Sequence, residues 1–215
     1  MSTLVYMKLL EQNPAKYDRG MRILTLGRIN RIKKEIASSW IESASKVLEI
    51  GCGTGTLAAL ITAQGSHVLG TDISEEMLNV ARENAPKAEF KHMTATEIEV
   101  LGKNRFDCVV ATLSLSELSN DELDYVLRST KNVLKQEGRL IVADEVIPKQ
   151  WWERMTFHVI RWPLAALTFL LTQNTTHTLK GFESRIQRHG YEIKHMKRYL
   201  SGSLALMVME KCNAQ

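Results

Sequence analysis

The feature that most constrains this chain is the stretch VLEIGCGTGTLA at residues 47–58, in which an apolar run leads into three glycines and then a second apolar segment. The first run has the length and composition of a buried strand, and the segment after the glycines has helical periodicity. Glycine permits a sharp turn between them and lets backbone N–H groups approach a ligand that a β-carbon would exclude. The stretch therefore predicts a strand, a ligand-binding turn and a helix in immediate succession.

Further apolar runs follow the first one, separated by segments of helical periodicity. The predicted strands are residues 46–50, 67–71, 88–92, 106–111 and 139–144. Strands that alternate with helices indicate a parallel sheet covered on both faces. The final pair, YEIKHMKRY at 191–199 and SLALMVMEK at 203–211, predicts an antiparallel hairpin at one sheet edge. We therefore expect an α/β fold with a doubly wound, mostly parallel sheet of seven strands.

Three helix starts carry a serine or threonine followed closely by glutamate, which is typical of helix capping. They are Ser74 before Glu75, Thr94 with Glu97, and Ser119 with Glu122. After the third start, apolar residues recur every three or four positions from Asp121 to Lys135, which predicts a helix that Gly138 ends. In residues 1–45 a similar recurrence of Ile29, Ile32, Ile36 and Trp40 predicts one buried helix face.

Charge divides the chain into three parts. Residues 1–45 hold eight Lys or Arg against four acids, residues 46–147 hold ten against sixteen, and residues 148–215 hold ten against four. We expect one domain, in which a helical cap at 1–45 precedes a core at 46–147, a helical insertion at 148–190 and the hairpin at 191–215. The basic ends could cover an anionic substrate, an acidic partner or an anionic membrane, or form a solvated surface.

Composition excludes several other classes. Cys52, Cys108 and Cys212 are far apart and odd in number, which favours a reducing, cytoplasmic location over a secreted disulfide framework. The longest apolar run, at 162–171, is about half of the roughly 20 residues that a membrane-spanning helix needs. It predicts an amphipathic helix that packs on the protein or, alternatively, lies on a membrane surface. Neither metal-ligand clusters nor zinc-finger or RNP patterns occur, which argues against a metal site and against nucleic acid as a partner.

The residues around the glycines discriminate between two cofactor classes. Asp72 ends the second predicted strand, where an acid can bind the hydroxyls of a ribose. The spacing is GxGxG, and Thr56 stands where a dinucleotide fingerprint has its third glycine. The carboxylate of Glu49 would repel a phosphate and attract the ammonium of an amino-acid-bearing cofactor. The pattern favours such a cofactor over a dinucleotide, and a glycine turn without a ligand is the remaining alternative.

The motifs VLEIGCGTGTLA, GTDISEEML, FDCVVATLSLSEL and GRLIVADEV, spread over residues 46–146, resemble in order those of the class I S-adenosylmethionine-dependent methyltransferases. The resemblance implies a Rossmann-like methyltransferase fold, S-adenosylmethionine as cofactor and S-adenosylhomocysteine as product. The cofactor-binding residues that it implies are Glu49 at the methionine amino group, Gly51, Cys52, Gly53 and Gly55 along the methionine and ribose, Asp72 at the ribose, Ile73, Met77, Thr94 and Ala95 around the adenine, and the carbonyl of Thr112.

The chain departs from the family pattern at two places. Met93, Thr94 and Ala95 stand where the family usually has an acid or amide for the adenine amino group, and Ser116 stands where many relatives have a histidine. YDRGMRILTLGRINRIKK at 17–34 resembles the start of the ubiquinone and menaquinone C-methyltransferases, which implies that a helix closes over the cofactor with Tyr17 in contact. Residues 161–192 resemble methyltransferases associated with corrinoid proteins, which implies such a protein as a partner.

Methyl transfer from a sulfonium is an in-line displacement that depends largely on positioning, and no catalytic base is evident in the sequence. The candidates are Ser114, Ser116, Glu117, Asp144, Glu145, His158 and His177. Two functions stay open: an enzyme with a small-molecule or cofactor-like methyl acceptor, linked to a corrinoid protein or to quinones at a membrane surface, and a regulatory module that binds the cofactor without turnover.

Overall fold

The computed structural model describes residues 14–147, 179 and 181–212. The helices are α1 (Pro14–Leu24), α2 (Arg28–Glu35), α3 (Thr56–Ala63), α4 (Glu75–Asn84), α5 (Asn120–Val133) and α6 (Phe182–Arg188). The strands are β1 (Lys46–Ile50), β2 (His67–Asp72), β3 (Glu89–His92), β4 (Phe106–Thr112), β5 (Leu134–Glu145), β6 (Tyr191–Tyr199) and β7 (Leu204–Lys211). A π-helical turn, Ile36–Trp40, extends α2, and 3₁₀ helices span Ala95–Leu101 and Leu115–Glu117.

The strands form one sheet in the order β3-β2-β1-β4-β5-β7-β6. Strands β1 to β5 are parallel to their neighbours, and β7 runs antiparallel to both β5 and β6. The predicted mostly parallel sheet and its terminal hairpin are therefore confirmed. The chain order reverses between β1 and β4, and in such sheets ligands bind in the crevice beyond the carboxyl ends of the strands at the reversal.

Apolar cores lie on the two sides of the sheet, as expected when helices cover both faces. One contains Leu48, Val109 and Leu140 from the strands, packed with α5 and α6. The other contains Val47 and Val110, packed with α3 and the first two helices. Ile29, Ile32 and Ile36 are buried, as the periodicity of the N-terminal segment predicts, and Trp40 is partly buried against the same core.

The three predicted helix starts are present. The hydroxyl of Ser74 accepts a hydrogen bond from the Met77 N–H at 3.2 Å. Thr94 and Ser119 each form a complete capping box, with Glu97 and Glu122 respectively, although the element after Thr94 is a 3₁₀ helix. These short polar contacts are local, which is why sequence alone predicts them.

The prediction that Gly138 ends the helix after Ser119 is wrong. The helix α5 ends at Val133, and Leu134 is already extended and pairs with Phe106 of β4. Leu134 and Val133 are both fully buried, so the apolar sequence pattern does not mark the boundary between the helix and the strand. The strand β5 is consequently longer than the predicted 139–144.

The predicted helical insertion at 148–190 contains α6, the one helix of this segment among the described residues. Leu179 pairs with Val146, and its N–H donates to the Glu145 carbonyl. Residues 148–178, which include His158 and His177, lie outside the described residues, as does Lys180. Within the described part of the chain, no helix is both long and apolar enough to cross a membrane.

We expect Ser119→Ala to lower the free energy of unfolding by about 1 kcal/mol, because the N-terminal N–H groups of α5 lose their capping acceptor. Urea denaturation, extrapolated to zero denaturant, measures this change. Ser119→Asp should retain most of the stability, since aspartate caps helices as well. Equal losses in both variants would contradict the capping role.

Candidate active site

The glycine loop, residues 51–55, connects β1 to α3 at the carboxyl end of the sheet. Gly51 and Gly55 have φ angles of 66° and 72°, in the left-handed region. A β-carbon on Gly51 would lie 2.5 Å from the Ser114 Cβ, and one on Gly55 would lie 2.9 Å from the Ala81 Cβ. Both positions therefore require glycine for backbone conformation and for the close approach of neighbouring elements.

Asp72 lies at the end of β2, beside the glycine loop. Its Oδ2 accepts a hydrogen bond from the Gly53 N–H at 2.8 Å, and its Oδ1 accepts one from the Ser74 N–H at 3.0 Å. A carboxylate has about four acceptor sites, so it can still accept hydrogen bonds from a ribose. Asp72 thus both braces the loop and is placed for the predicted ribose contact.

Glu49 is the most unusual residue at this edge of the sheet. Its side chain is fully buried in β1, and neither carboxylate oxygen has a hydrogen-bond partner among the described residues. Burial raises the pKa of Glu49 to about 8, although the positive charge of Lys33 and, more weakly, the backbone of Ala58 act in the opposite direction. An unpaired buried carboxylate is costly, and a ligand ammonium would compensate for it.

The first two helices cover the glycine loop. A β-carbon on Gly53 would lie 3.8 Å from Tyr17 Cε1, so the Tyr17 ring of α1 lies over the loop. The Thr54 hydroxyl donates to the Asp18 carboxylate at about 2.9 Å, and Lys33 of α2 donates to the Thr56 hydroxyl. Tyr17 is therefore at the place where the sequence comparison with quinone methyltransferases predicts a cofactor contact.

The residues predicted to surround the adenine meet beyond the ends of β2 and β3. The side chain of Ile73 is 65% exposed, whereas that of Met77 is only 2% exposed. His92 Nε2 lies 2.9 Å from the Ile73 carbonyl oxygen, a contact that the sequence did not predict. Thr94 caps the following 3₁₀ helix through Glu97, and Ala95 begins that helix. The structure brings these residues to one edge but leaves their role a prediction.

A strained turn follows β4. Thr112 ends the strand, and Leu113 has a φ angle of 56°, which is uncommon for a residue with a side chain. This turn directs the hydroxyl of Ser114 to the Ile50 carbonyl, to which it donates at 3.0 Å. Ser114 therefore connects the β4 loop to the glycine loop. Its hydroxyl, a candidate base in the sequence analysis, is engaged in this hydrogen bond.

Asp144 organises the same loop from β5. It is fully buried, and its carboxylate accepts hydrogen bonds from the N–H groups of Leu115, Ser116 and Glu145. Burial raises the pKa of Asp144 to about 6, although these hydrogen bonds favour its ionised form. This arrangement makes Asp144 a structural acceptor for the loop that contains Ser116. Glu145 is also buried, whereas Glu117 is exposed.

Two other features bear on the chemistry of the site. Cys52 lies within the glycine loop, 3% exposed, and burial raises the pKa of its thiol, so it is not a reactive thiolate. Among the residues that the structure describes, no three His, Cys, Asp or Glu side chains converge to bind a metal ion. The described site therefore offers a buried carboxyl group, an acid for a diol and a glycine cradle.

Comparison with known proteins agrees with this geometry. A family model described as a methyltransferase domain matches residues 47–138. A demethylmenaquinone methyltransferase of Thermotoga maritima is 29% identical over 145 residues, covering 66% of this chain and 62% of that protein. A ubiquinone/menaquinone biosynthesis C-methyltransferase of Pseudomonas entomophila is 30% identical over 187 residues, covering 81% and 71%. The chain thus spans less than two thirds of the length of the Thermotoga maritima protein and more than two thirds of the length of the Pseudomonas entomophila protein.

Solved structures share the fold. A 1,6-didemethyltoxoflavin-N1-methyltransferase of Burkholderia thailandensis, with bound S-adenosylhomocysteine, superposes with a TM-score of 0.69 at 16% identity, covering 99% of this chain and 92% of that one. A TehB-like methyltransferase of Corynebacterium glutamicum gives 0.66 at 15% identity, covering 93% and 98%. At such low identity, these likenesses show the fold alone.

We expect Glu49→Gln to stabilise the free protein at pH 8 to 9, by an amount on the order of several kcal/mol, because it removes a buried charge. Since the pKa of Glu49 is raised in the folded state, wild-type stability should fall as pH rises from about 4.5 through about 8. Denaturant unfolding between pH 6.5 and 9 measures the difference.

The exposed carboxylate of Glu83 on α4 provides a matched control. Glu83→Gln should leave the pH dependence of wild-type stability unchanged. A stability gap between wild type and Glu49→Gln that does not grow with pH would contradict the assigned burial of the charge.

Proposed function

We propose that this chain, which belongs to the class I S-adenosylmethionine-dependent methyltransferases, transfers a methyl group from that cofactor to a small-molecule acceptor. The finer proposal is that the acceptor is an electron-rich ring carbon of a hydroquinone. The first part rests on the site at the carboxyl ends of β1, β2 and β4. The second part rests on relatives whose names specify menaquinone or ubiquinone biosynthesis.

The observation that carries the proposal is the buried carboxylate of Glu49, which has no hydrogen-bond partner among the residues that the structure describes. An uncompensated buried acid lowers the stability of the fold. Such acids are found most often at functional sites. An amino-acid-bearing cofactor would place its ammonium there, whereas a phosphate-bearing cofactor would be repelled. Gly51, Gly53 and Gly55 leave room for its methionine part, and Asp72 lies where the ribose hydroxyls would bind.

When bound, the cofactor supplies an electrophilic methyl group on a sulfonium. The described residues contribute mainly by positioning and by excluding water. Tyr17 and Asp18 hold α1 over the glycine loop, while Ser114 and Asp144 are engaged in hydrogen bonds that fix the β4 loop. A hydroquinone carbon suits such a site, because its ring hydroxyls make it nucleophilic without a strong protein base.

The link to a corrinoid protein stays a prediction. The stretch that suggested it, residues 161–192, lies mostly outside the described residues. Binding of the cofactor without turnover, as in a regulatory module, is the outcome that would contradict the enzymatic proposal.

We expect the purified protein to methylate a reduced, short-chain demethylmenaquinone analogue in the presence of S-adenosylmethionine. Mass spectrometry should find the acceptor with a methyl group in place of one ring hydrogen, a net gain of CH2, and an equal amount of S-adenosylhomocysteine. The oxidised quinone should not react, because its ring carbon is electron-poor. Cofactor binding without product formation on reduced naphthoquinones and benzoquinones would contradict the hydroquinone assignment.

We expect Asp72→Ala to weaken S-adenosylmethionine binding by about 1 to 3 kcal/mol, since charge-assisted hydrogen bonds to the ribose are lost. Isothermal titration calorimetry measures the affinity, and thermal unfolding of the free protein reports separately on the lost brace to Gly53. Glu89→Ala, an exposed acid on β3, is the control. An unchanged affinity in Asp72→Ala would exclude the ribose contact.

A further inference from the structure

The end of α1, the start of α2 and the residues between them (22–28, called the α1–α2 turn below) expose two large apolar side chains. Ile23 is 63% exposed and Leu26 is 78% exposed. The turn is well ordered by its own hydrogen bonds, in which the Gly27 N–H donates to the Arg22 carbonyl and the Arg28 N–H to the Thr25 carbonyl. The exposure of Ile23 and Leu26 is therefore built into the backbone.

The backbone of this turn is also strained at one of the two exposed residues. Leu26 has a φ angle of 49°, in the left-handed region that side chains disfavour. The Thr25 hydroxyl, by contrast, is buried and donates to the Met21 carbonyl at 2.7 Å. Thr25 points into the protein while Ile23 and Leu26 face outward, which is the reverse of the usual arrangement and indicates a contact surface.

The sequence around the two apolar residues is uniformly basic. Residues 19–34 hold four arginines and two lysines and no acid. Within the described part of the chain, Arg19, Arg22, Arg28 and Arg31 are exposed and form no ion pair. Apolar side chains flanked by arginines match the boundary of an anionic bilayer, where acyl chains lie beneath negative headgroups.

We propose that the α1–α2 turn docks on an anionic lipid bilayer, with Ile23 and Leu26 inserted and Arg22 and Arg28 at the headgroups. A bilayer fits better than a protein partner, because two protruding apolar residues offer far less than the roughly 1,200 Å² that a stable protein interface buries. Shallow insertion beside several arginines needs no such area.

The membrane contact of the turn would serve substrate access, and this step rests on the proposed function. Ile23 lies six residues after Tyr17 on α1, or about 9 Å along the helix, and Tyr17 covers the glycine loop. Docking would bring the mouth of the cofactor site to the membrane surface, where a lipid-soluble hydroquinone resides. The acceptor would then reach the site without crossing water.

The test is flotation of the full chain with phosphatidylcholine vesicles that contain or lack phosphatidylserine. Wild type should bind only the anionic vesicles, and high salt should release it. Arg22→Gln with Arg28→Gln should weaken binding about 25-fold, at about fivefold per arginine. Ile23→Ser with Leu26→Ser should weaken it about tenfold or more.

Matched controls exist elsewhere on the surface. Val100→Ser changes an apolar residue that is 73% exposed, and Lys87→Gln with Lys103→Gln removes two exposed charges. These variants should float like wild type. Equal binding to neutral vesicles, no binding to anionic vesicles, or equal losses in the controls would overturn the proposal.

Two further measurements, of thermal stability and of methylation, distinguish this proposal from its alternatives. If another segment of the chain covers the turn, Ile23→Ser with Leu26→Ser will lower the melting temperature of the free protein, whereas membrane docking predicts no change. Methylation of a water-soluble hydroquinone should persist in the turn variants. A protein that methylates this acceptor but ignores anionic vesicles would retain the proposed function and lose the membrane contact.

Discussion

The close approach of Gly51 to Ser114 is the constraint on which the rest of the site depends. No side chain fits between the glycine loop after β1 and the loop after β4, and the Ser114 hydroxyl bonds the two through the Ile50 carbonyl. Asp144 then fixes the β4 loop from β5 through the N–H groups of Leu115 and Ser116. Three neighbouring strands are thereby joined at their carboxyl ends, at the reversal of strand order where a crevice forms.

The two fully buried carboxylates of this region differ in their hydrogen bonding. Asp144 is desolvated but accepts three backbone hydrogen bonds, so its pKa rises only to about 6. Glu49 has no such partners among the described residues, and its pKa rises to about 8. The first carboxylate is integrated into the fold, whereas the second lowers stability in a way that a cationic ligand group would relieve. That contrast distinguishes a structural acid from the acid that we propose binds the cofactor.

Sequence reasoning succeeded where the governing interaction is local. The capping contacts of Ser74, Thr94 and Ser119 span three residues, and the glycine spacing fixes a turn between two adjacent elements. It failed at Leu134, because a buried helix and a buried strand share the same apolar run, and only pairing with Phe106 distinguishes them. It also gave no sign of the left-handed Leu113, since that conformation is imposed by elements distant in the chain.

The sequence by itself determined the strand, glycine turn and helix at 46–63, the acid at Asp72, the mostly parallel sheet and the family, because these depend on periodicity and on short spacings. Tertiary structure alone decided that no described residue is a hydrogen-bond partner of the Glu49 carboxylate, that Ser114 and Asp144 fix the β4 loop, and that Ile23 and Leu26 face outward. Each of these depends on which residues, far apart in the chain, surround a side chain. Hydrogen-bond partners, and the departures from the burial that periodicity predicts, are properties of the assembled fold that local sequence pattern does not reveal.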